Sequence, residues 1–481
     1  MAYVVYVGVL VGAVLGVPIV HAVVLTLALP AAQEAMLNES ARTIITVFAS
    51  GLGCLALAGG RVRGPVAPAP FVASTLGNSS IAPRVAWGRQ LTFALVSTIL
   101  LFAAVAALAV TGFVAGNQEI GASLSFVAGM CLVAVLFGML WLIGQALPRW
   151  WTVSIGAAVA GSAALAIFIP SAWASPWSLL AALWPSTAPA SVDSRLSLAV
   201  LGVLALVSLA LALVLVERLD PRTVVLHAER WEALTQLVRT GDFAGAFDRL
   251  RAVPAVGRRV RIPLDQPLAL AVLQRDAIGL ARNPIRLAVA LATLALALSG
   301  VAWRWMHVAA DGVTWAYALA AGLLAFAALG VFSDGFRHAA DTAGRPSLFR
   351  QTPAELFRLH TMLPALAIVI PTITAALAGG AATAATAVAL SATLVAVRAC
   401  DAAKGPMPIE LLMPVPTPAG DASSIGAAFW QADALIIVGV LAVWLGAGSA
   451  NSPTVLFWVV PIIALLALLT SGRLRRSMSL T

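Results

Sequence analysis

Long apolar runs alternate with short polar ones along the whole chain, and the length of those runs decides its class. A helix needs about 20 mostly apolar residues to cross a hydrocarbon core of about 30 Å. On that template the pattern predicts twelve spans: Val4 to Leu29, Thr43 to Gly59, Leu91 to Ala115, Ser123 to Leu147, Val153 to Ile169, Leu196 to Val216, Leu287 to Met306, Val313 to Phe332, Met362 to Leu377, Ala382 to Val397, Ala434 to Ala447 and Val455 to Thr470. The ninth and tenth form one apolar run broken only by Gly379 and Gly380. A single helix that long overshoots a bilayer, so the glycine pair is read as a tight turn. The expected fold is all-α, a polytopic membrane protein of about twelve transmembrane helices. The spans divide six and six: residues 1–216 form one half, 217–286 a helical cytoplasmic linker that includes a connecting helix, and 287–481 the second half.

Composition agrees. Of the 481 residues 61% are apolar and 10% charged, against roughly 25% charged in ordinary soluble domains, and mean hydropathy is +0.97. A soluble protein is excluded. The net charge of +9 resolves into topology once it is mapped. With the N-terminus inside, every basic residue except Arg42, Arg195 and Arg304 falls in an inside loop, as the positive-inside rule requires. Both termini are then cytoplasmic, and Arg473, Arg475 and Arg476 anchor the last helix. A lipid bilayer, not nucleic acid, is the expected neighbour of this charge. Lys404 is the only lysine, and that Arg-heavy, Ala-, Val- and Gly-rich usage resembles a high-GC bacterium. The expected location is a bacterial plasma membrane. The first segment lacks the basic n-region of a signal peptide and its apolar run is too long for one.

Most chemistry is absent from the sequence. No Asp, Glu, Lys or Arg lies in the central part of a predicted span, whereas proton- and ion-coupled carriers usually need such groups. His21 and Gln145 are the main polar exceptions, and they are the cavity candidates. There is no GxxxxGK[ST] phosphate loop, no HExxH, no GxSxG and no paired acids at metal-binding spacing, so the chain is not expected to be an enzyme or to hold a cofactor or metal of its own. Cys54, Cys131 and Cys400 are too far apart in sequence for a CxxC site.

Five polar or interrupted segments carry the remaining information. The stretch Pro221 to Arg239 and Phe243 to Val253 reads as a helical hairpin, and Leu264 to Arg282 as an amphipathic interfacial helix stopping at Asn283-Pro284. The loops after the second helix of each half, from Gly60 and from Ser333, are both long, basic and similarly built. The segment Ser171 to Ser194, aromatic but too short to span, reads equally as a re-entrant helix or as a cap on the outer leaflet.

This layout resembles a type-2 ABC exporter permease in tandem form, with both membrane halves on one chain. The resemblance implies that Leu264 to Arg282 is the connecting helix of the second half, with Gln274, Arg275, Asp276 and Arg282 in the family's pattern. It implies coupling loops over Pro68 to Arg89 and Arg345 to Arg358, with Phe71, Arg84, Trp87, Arg89, Arg345, Phe349, Arg350, Glu355 and Arg358 at the docking surface. It further implies a separate ABC ATP-binding subunit in two copies, which carries ATP and magnesium, and alternating-access export of an amphiphilic or hydrophobic small molecule or peptide. The first half departs by having no connecting helix before Val4, and the second by having no re-entrant segment. The alternative is a proton-coupled secondary carrier of the major-facilitator type. That family's loop between helices two and three resembles GxxxDRxGRR, but Gly59 to Pro65 contains no acid.

Overall fold

The structure is a computed structural model of the chain, and it describes residues 17–38, 40–168, 172–186, 193–239, 266–307, 313–343, 351–405, 407–413, 416–417, 420–421 and 423–479. Among these, regular structure is helical apart from a two-residue antiparallel pair, Pro416–Thr417 with Gly420–Asp421. Among the described residues seven helices are long and apolar enough to cross a membrane, or up to ten if each bent pair forms one span. The protein is an all-α polytopic membrane protein. The twelve-span expectation is larger than this number, and the start of its first span lies in 1–16, outside the described residues. The chain divides into two compact units, Met1–Arg251 and Ala252–Thr481, so the boundary falls inside the expected linker.

The first unit contains α1 (Val17–Leu27), α2 (Pro30–Leu37), α3 (Ser40–Val62), α4 (Pro70–Gly77), α5 (Pro83–Ala115), α6 (Ile120–Ala146), α7 (Arg149–Phe168), α8 (Pro176–Ala182), α9 (Ser194–Glu217) and α10 (Pro221–Arg239). Proline opens α2, α4, α5 and α8, where its missing N–H has no partner to lose. Asp193 caps α9 by accepting the Arg195 N–H at 2.8 Å. At the crossing of α3 and α6 the backbones touch. A Cβ on Gly60 would overlap the Trp141 carbonyl, and one on Gly144 the Leu57 carbonyl. Small residues at such a crossing replace the hydrophobic drive that lipid does not supply.

The aromatic segment before α9 resolves its two readings. Ser175 accepts the Ser178 N–H at 3.1 Å to start α8, and Trp177, Leu179, Leu180 and Leu183 are buried in one cluster with Phe126, Val133, Phe137 and Leu201. Trp177 stacks on Phe137 with centroids 5.0 Å apart, and Trp184 donates to the Met36 carbonyl at 2.7 Å. The segment is held within the protein, as irregular backbone at membrane depth must be.

The second unit contains α11 (Leu268–Ala281), α12 (Pro284–His307), α13 (Val313–Leu329), α14 (Asp334–Thr342), α15 (Pro353–His360), α16 (Met362–Ala367), α17 (Val369–Ala402), α18 (Ser423–Asn451) and α19 (Val459–Ser479). Helix α11 turns into α12 through 100° at Asn283-Pro284, where proline disfavours helix in the residue before it. Helix α17 is one helical run of 34 residues. Yet Ala375 and Ala387 are packed together and fully buried, and twelve residues of straight helix would hold them about 18 Å apart. The run therefore doubles back in the stretch containing Gly379 and Gly380. Between α18 and α19 the short link contains a 3-10 helix, Pro453–Trp458.

Gly144→Ala is expected to force α3 and α6 apart and lower stability by about 1–3 kcal/mol. Gly161→Ala, on α7 with nothing within 4 Å of the new Cβ, should be neutral or mildly stabilising. Denaturant unfolding in detergent compares the two.

Candidate functional site

The loop between α3 and α5 begins where Val62 ends the helix, and its backbone is claimed at once by side chains from distant elements. Trp141 Nε1 donates to the Arg63 carbonyl at 2.7 Å. The Gln145 carboxamide, 4% exposed, accepts the Val66 N–H at 3.1 Å and donates to the Val66 carbonyl at 2.7 Å. His227 of α10 accepts the Gly64 N–H on Nδ1 at 3.3 Å, and the Arg63 guanidinium lies 3.8 Å from the centre of the Trp231 ring. Gly64 is required there, because a Cβ would overlap the Gln145 carboxamide. Beneath the loop an apolar cluster joins Val66, Ala73, Trp87, Leu142, Val216 and Val224. The result is a tied-down platform on which Phe71 is 80% exposed and Val85 71% exposed.

The platform sorts the residues expected to dock a partner. Phe71, Arg84 and Arg89 are exposed, and Arg84 pairs with Glu217 at 3.1 Å. Trp87 is a correction: at 1% exposed its indole packs into the cluster below the loop and offers no contact surface. The cavity candidates separate too. His21 is exposed on α1, while Gln145 lines a cavity near the α6 terminus with Arg61, Thr223 and His227, and both ends of its carboxamide are bonded to the loop.

In the second unit the corresponding loop follows α13. Arg398 of α17 lies over the Phe326 ring and donates to the Phe326 carbonyl from Nε at 3.1 Å, occupying an acceptor near the end of α13. The chain then bends by 60° into α14. Thr352 and Glu355 form a capping box at the start of α15: Glu355 N–H donates to Thr352 Oγ1 at 3.2 Å, and Thr352 N–H to Glu355 Oε2 at 2.8 Å. These bonds hold the Glu355 carboxyl below its ordinary pKa. Phe336 stacks on Phe357 with centroids 5.6 Å apart.

Beside that stack, His360 Nδ1 and Asp276 Oδ2 lie 2.6 Å apart, with side chains 1% and 12% exposed. A Cβ on Gly335 would overlap His360 and come within 2.8 Å of Asp276 Oδ2. Asp276 therefore connects the helix α11 to the loop, whereas Gln274 and Arg275 are exposed and Arg282 is half-buried. Gln274 accepts from Gln266 at 2.9 Å. Arg358 is exposed on α15. Arg345, Phe349 and Arg350 lie outside the described residues.

Sequence reasoning missed His227, His360 and Trp141. Each is an isolated polar or amphipathic side chain whose partner lies between 78 and 163 residues away, and no local pattern marks such a pairing. Among the described residues no group of three or more His, Cys, Asp or Glu is arranged to hold a metal. No family model, curated protein or solved structure matches the chain.

Burial, with the nearby Arg230 charge, lowers the His227 pKa from 6.5 to about 4. The neutral ring accepts the Gly64 N–H, so the stability this contributes is complete above pH 6.5 and falls as pH drops from there towards 4. Protease cutting of the loop after α3 should therefore accelerate over that interval. His227→Gln, which keeps an acceptor but does not titrate, should flatten the dependence.

Proposed function

We propose that the protein is the membrane-spanning permease subunit of an ATP-driven exporter of the type-2 ABC class. Its two platforms are the surfaces on which a separate ATP-binding subunit, in two copies, docks from the cytoplasm. The observation that carries this reading is the platform of the first unit. Its loop backbone is fixed by Gln145 and His227, while Phe71 and Val85 are exposed, as are Arg84 and Arg89. A fixed apolar anchor with basic neighbours suits a partner groove that is apolar at its centre and acidic at its rim. The Arg distribution along the sequence supports placing both platforms and both termini inside a bacterial plasma membrane.

Alternating access then follows from docking. Closure of the ATP-binding pair on ATP and magnesium displaces both platforms, and the membrane helices transmit that displacement to a path for an amphiphilic or hydrophobic small molecule or peptide. The scarcity of charge in the span centres supports a drive supplied by a partner. A proton-coupled carrier, the second reading, draws support from the network in which Asp433 pairs with Lys404 and, at 3.5 Å, with Arg473.

Co-expression with a candidate ABC ATPase should give a complex that survives purification. Phe71→Asp, or charge reversal at Arg345, Arg350 and Arg358, should reduce capture at least tenfold. Purification of the chain alone, with transport unaffected by those changes, would refute the proposal. Transport abolished by a protonophore at constant ATP would favour the carrier.

A further inference from the structure

We infer that the two platforms are attached to different membrane helices: the first unit's to the last span of its half, and the second unit's to the first span of its half. The inference deepens the docking reading, on which it rests for what does the pushing; the attachment itself is independent of it.

In each unit the loop after the second helix has two polar ties to one long helix and the short helix joined to it. In the first unit these are α9 and α10. Arg84, at the start of α5, pairs with Glu217 at the end of α9 at 3.1 Å, and Gly64 donates to His227 of α10 at 3.3 Å. The apolar contacts follow the same route, joining Val66 and Ala73 of the loop to Ala212 and Val216 of α9 and to Val224 and Ala228 of α10. In the second unit they are α12 and α11. Arg286, near the start of α12, pairs with Asp334 of α14 at 3.1 Å, and His360 of α15 meets Asp276 of α11 at 2.6 Å. Val331, Phe332 and Ala367 pack with Leu280 of α11 and with Leu287, Ala290 and Leu291 of α12.

Each pair of ties has the same composition, an arginine–carboxylate pair that is at least a third exposed and a buried histidine. The exposed pairs contribute little energy. The histidines are the positioning residues, since each is buried and losing its bond would leave a largely enclosed partner unsatisfied. The order along the chain is reversed between the units. The short helix follows the last span in the first unit and precedes the first span in the second. Helix α10 thus does from behind what α11 does from in front. A displacement of the first platform acts on α9 as well as on α6, whose Gln145 and Trp141 bond the same loop, and one of the second acts on α12.

Hydrogen–deuterium exchange on the full chain in lipid nanodiscs tests this without any ATPase. His227→Ala should raise exchange at least tenfold in peptides covering 63–77, 210–217 and 221–239, leaving 17–27 unchanged. His360→Ala should do the same in 268–281, 284–291 and 353–360, leaving 423–451 unchanged. Glutamine at either position should restore most of the protection. Should either alanine variant fail to fold, the surface swaps Arg84→Glu with Glu217→Arg, and Arg286→Asp with Asp334→Arg, provide the readout: each single change raises exchange in its own helix pair and each double change restores it. Exchange that rises equally in 17–27 or 423–451, or double swaps that rescue nothing, would overturn the inference. Either result leaves the docking proposal to its own test, and loss of docking would leave this exchange pattern intact.

Discussion

Where a membrane helix stops, its last carbonyls and the next N–H groups need partners at a depth where water is scarce, and the rest of this structure depends on how that need is met. At the end of α3 a single carboxamide does most of the work. Gln145 takes both the N–H and the carbonyl of Val66, as a neighbouring β-strand would, shortly after the helix has ended at Val62. That bond fixes the loop, the loop fixes α4, and α4 presents Phe71. The close backbone approach at Gly60 and Gly144 brings α6 near enough for Gln145 to reach.

The second unit meets the same need with different chemistry. Arg398 takes the Phe326 carbonyl, and an acid on α11 holds the histidine of α15. Neither solution copies the other residue for residue, but in both the enclosed polar group sits on a glycine. Gly64 leaves room for Gln145, and Gly335 leaves room for the contact between His360 and Asp276. The shared feature is a space that a side chain would fill.

Much of the scaffold was legible in the sequence because it is written in local pattern. Run length marked the membrane class and seven to ten of the spans rather than all twelve expected, Asn283-Pro284 marked the elbow between α11 and α12, and the glycine pair marked the stretch in which α17 reverses. The aromatic segment before α9 was recognised, though only packing showed it to be buried. The platform was less legible. Phe71, Arg84 and Arg89 lie where a loop residue of their kind is expected, but Trp87 looks the same in sequence and is core. His227 and His360 stand out in no local pattern, since their partners are chosen by tertiary neighbours and a lone histidine on an amphipathic helix has many possible fates.

Lys404 has a consequence of a different kind. It is the only lysine in the chain, and its amine is 8% exposed, held by Asp433 and lying 4.1 Å from the centre of the Trp430 ring. An amine-directed reagent thus finds a single side chain to modify, and that one is closed off while α17, α18 and α19 stay together. Acylation at Lys404 is a clock for the separation of those three helix ends, built into the protein without any added label.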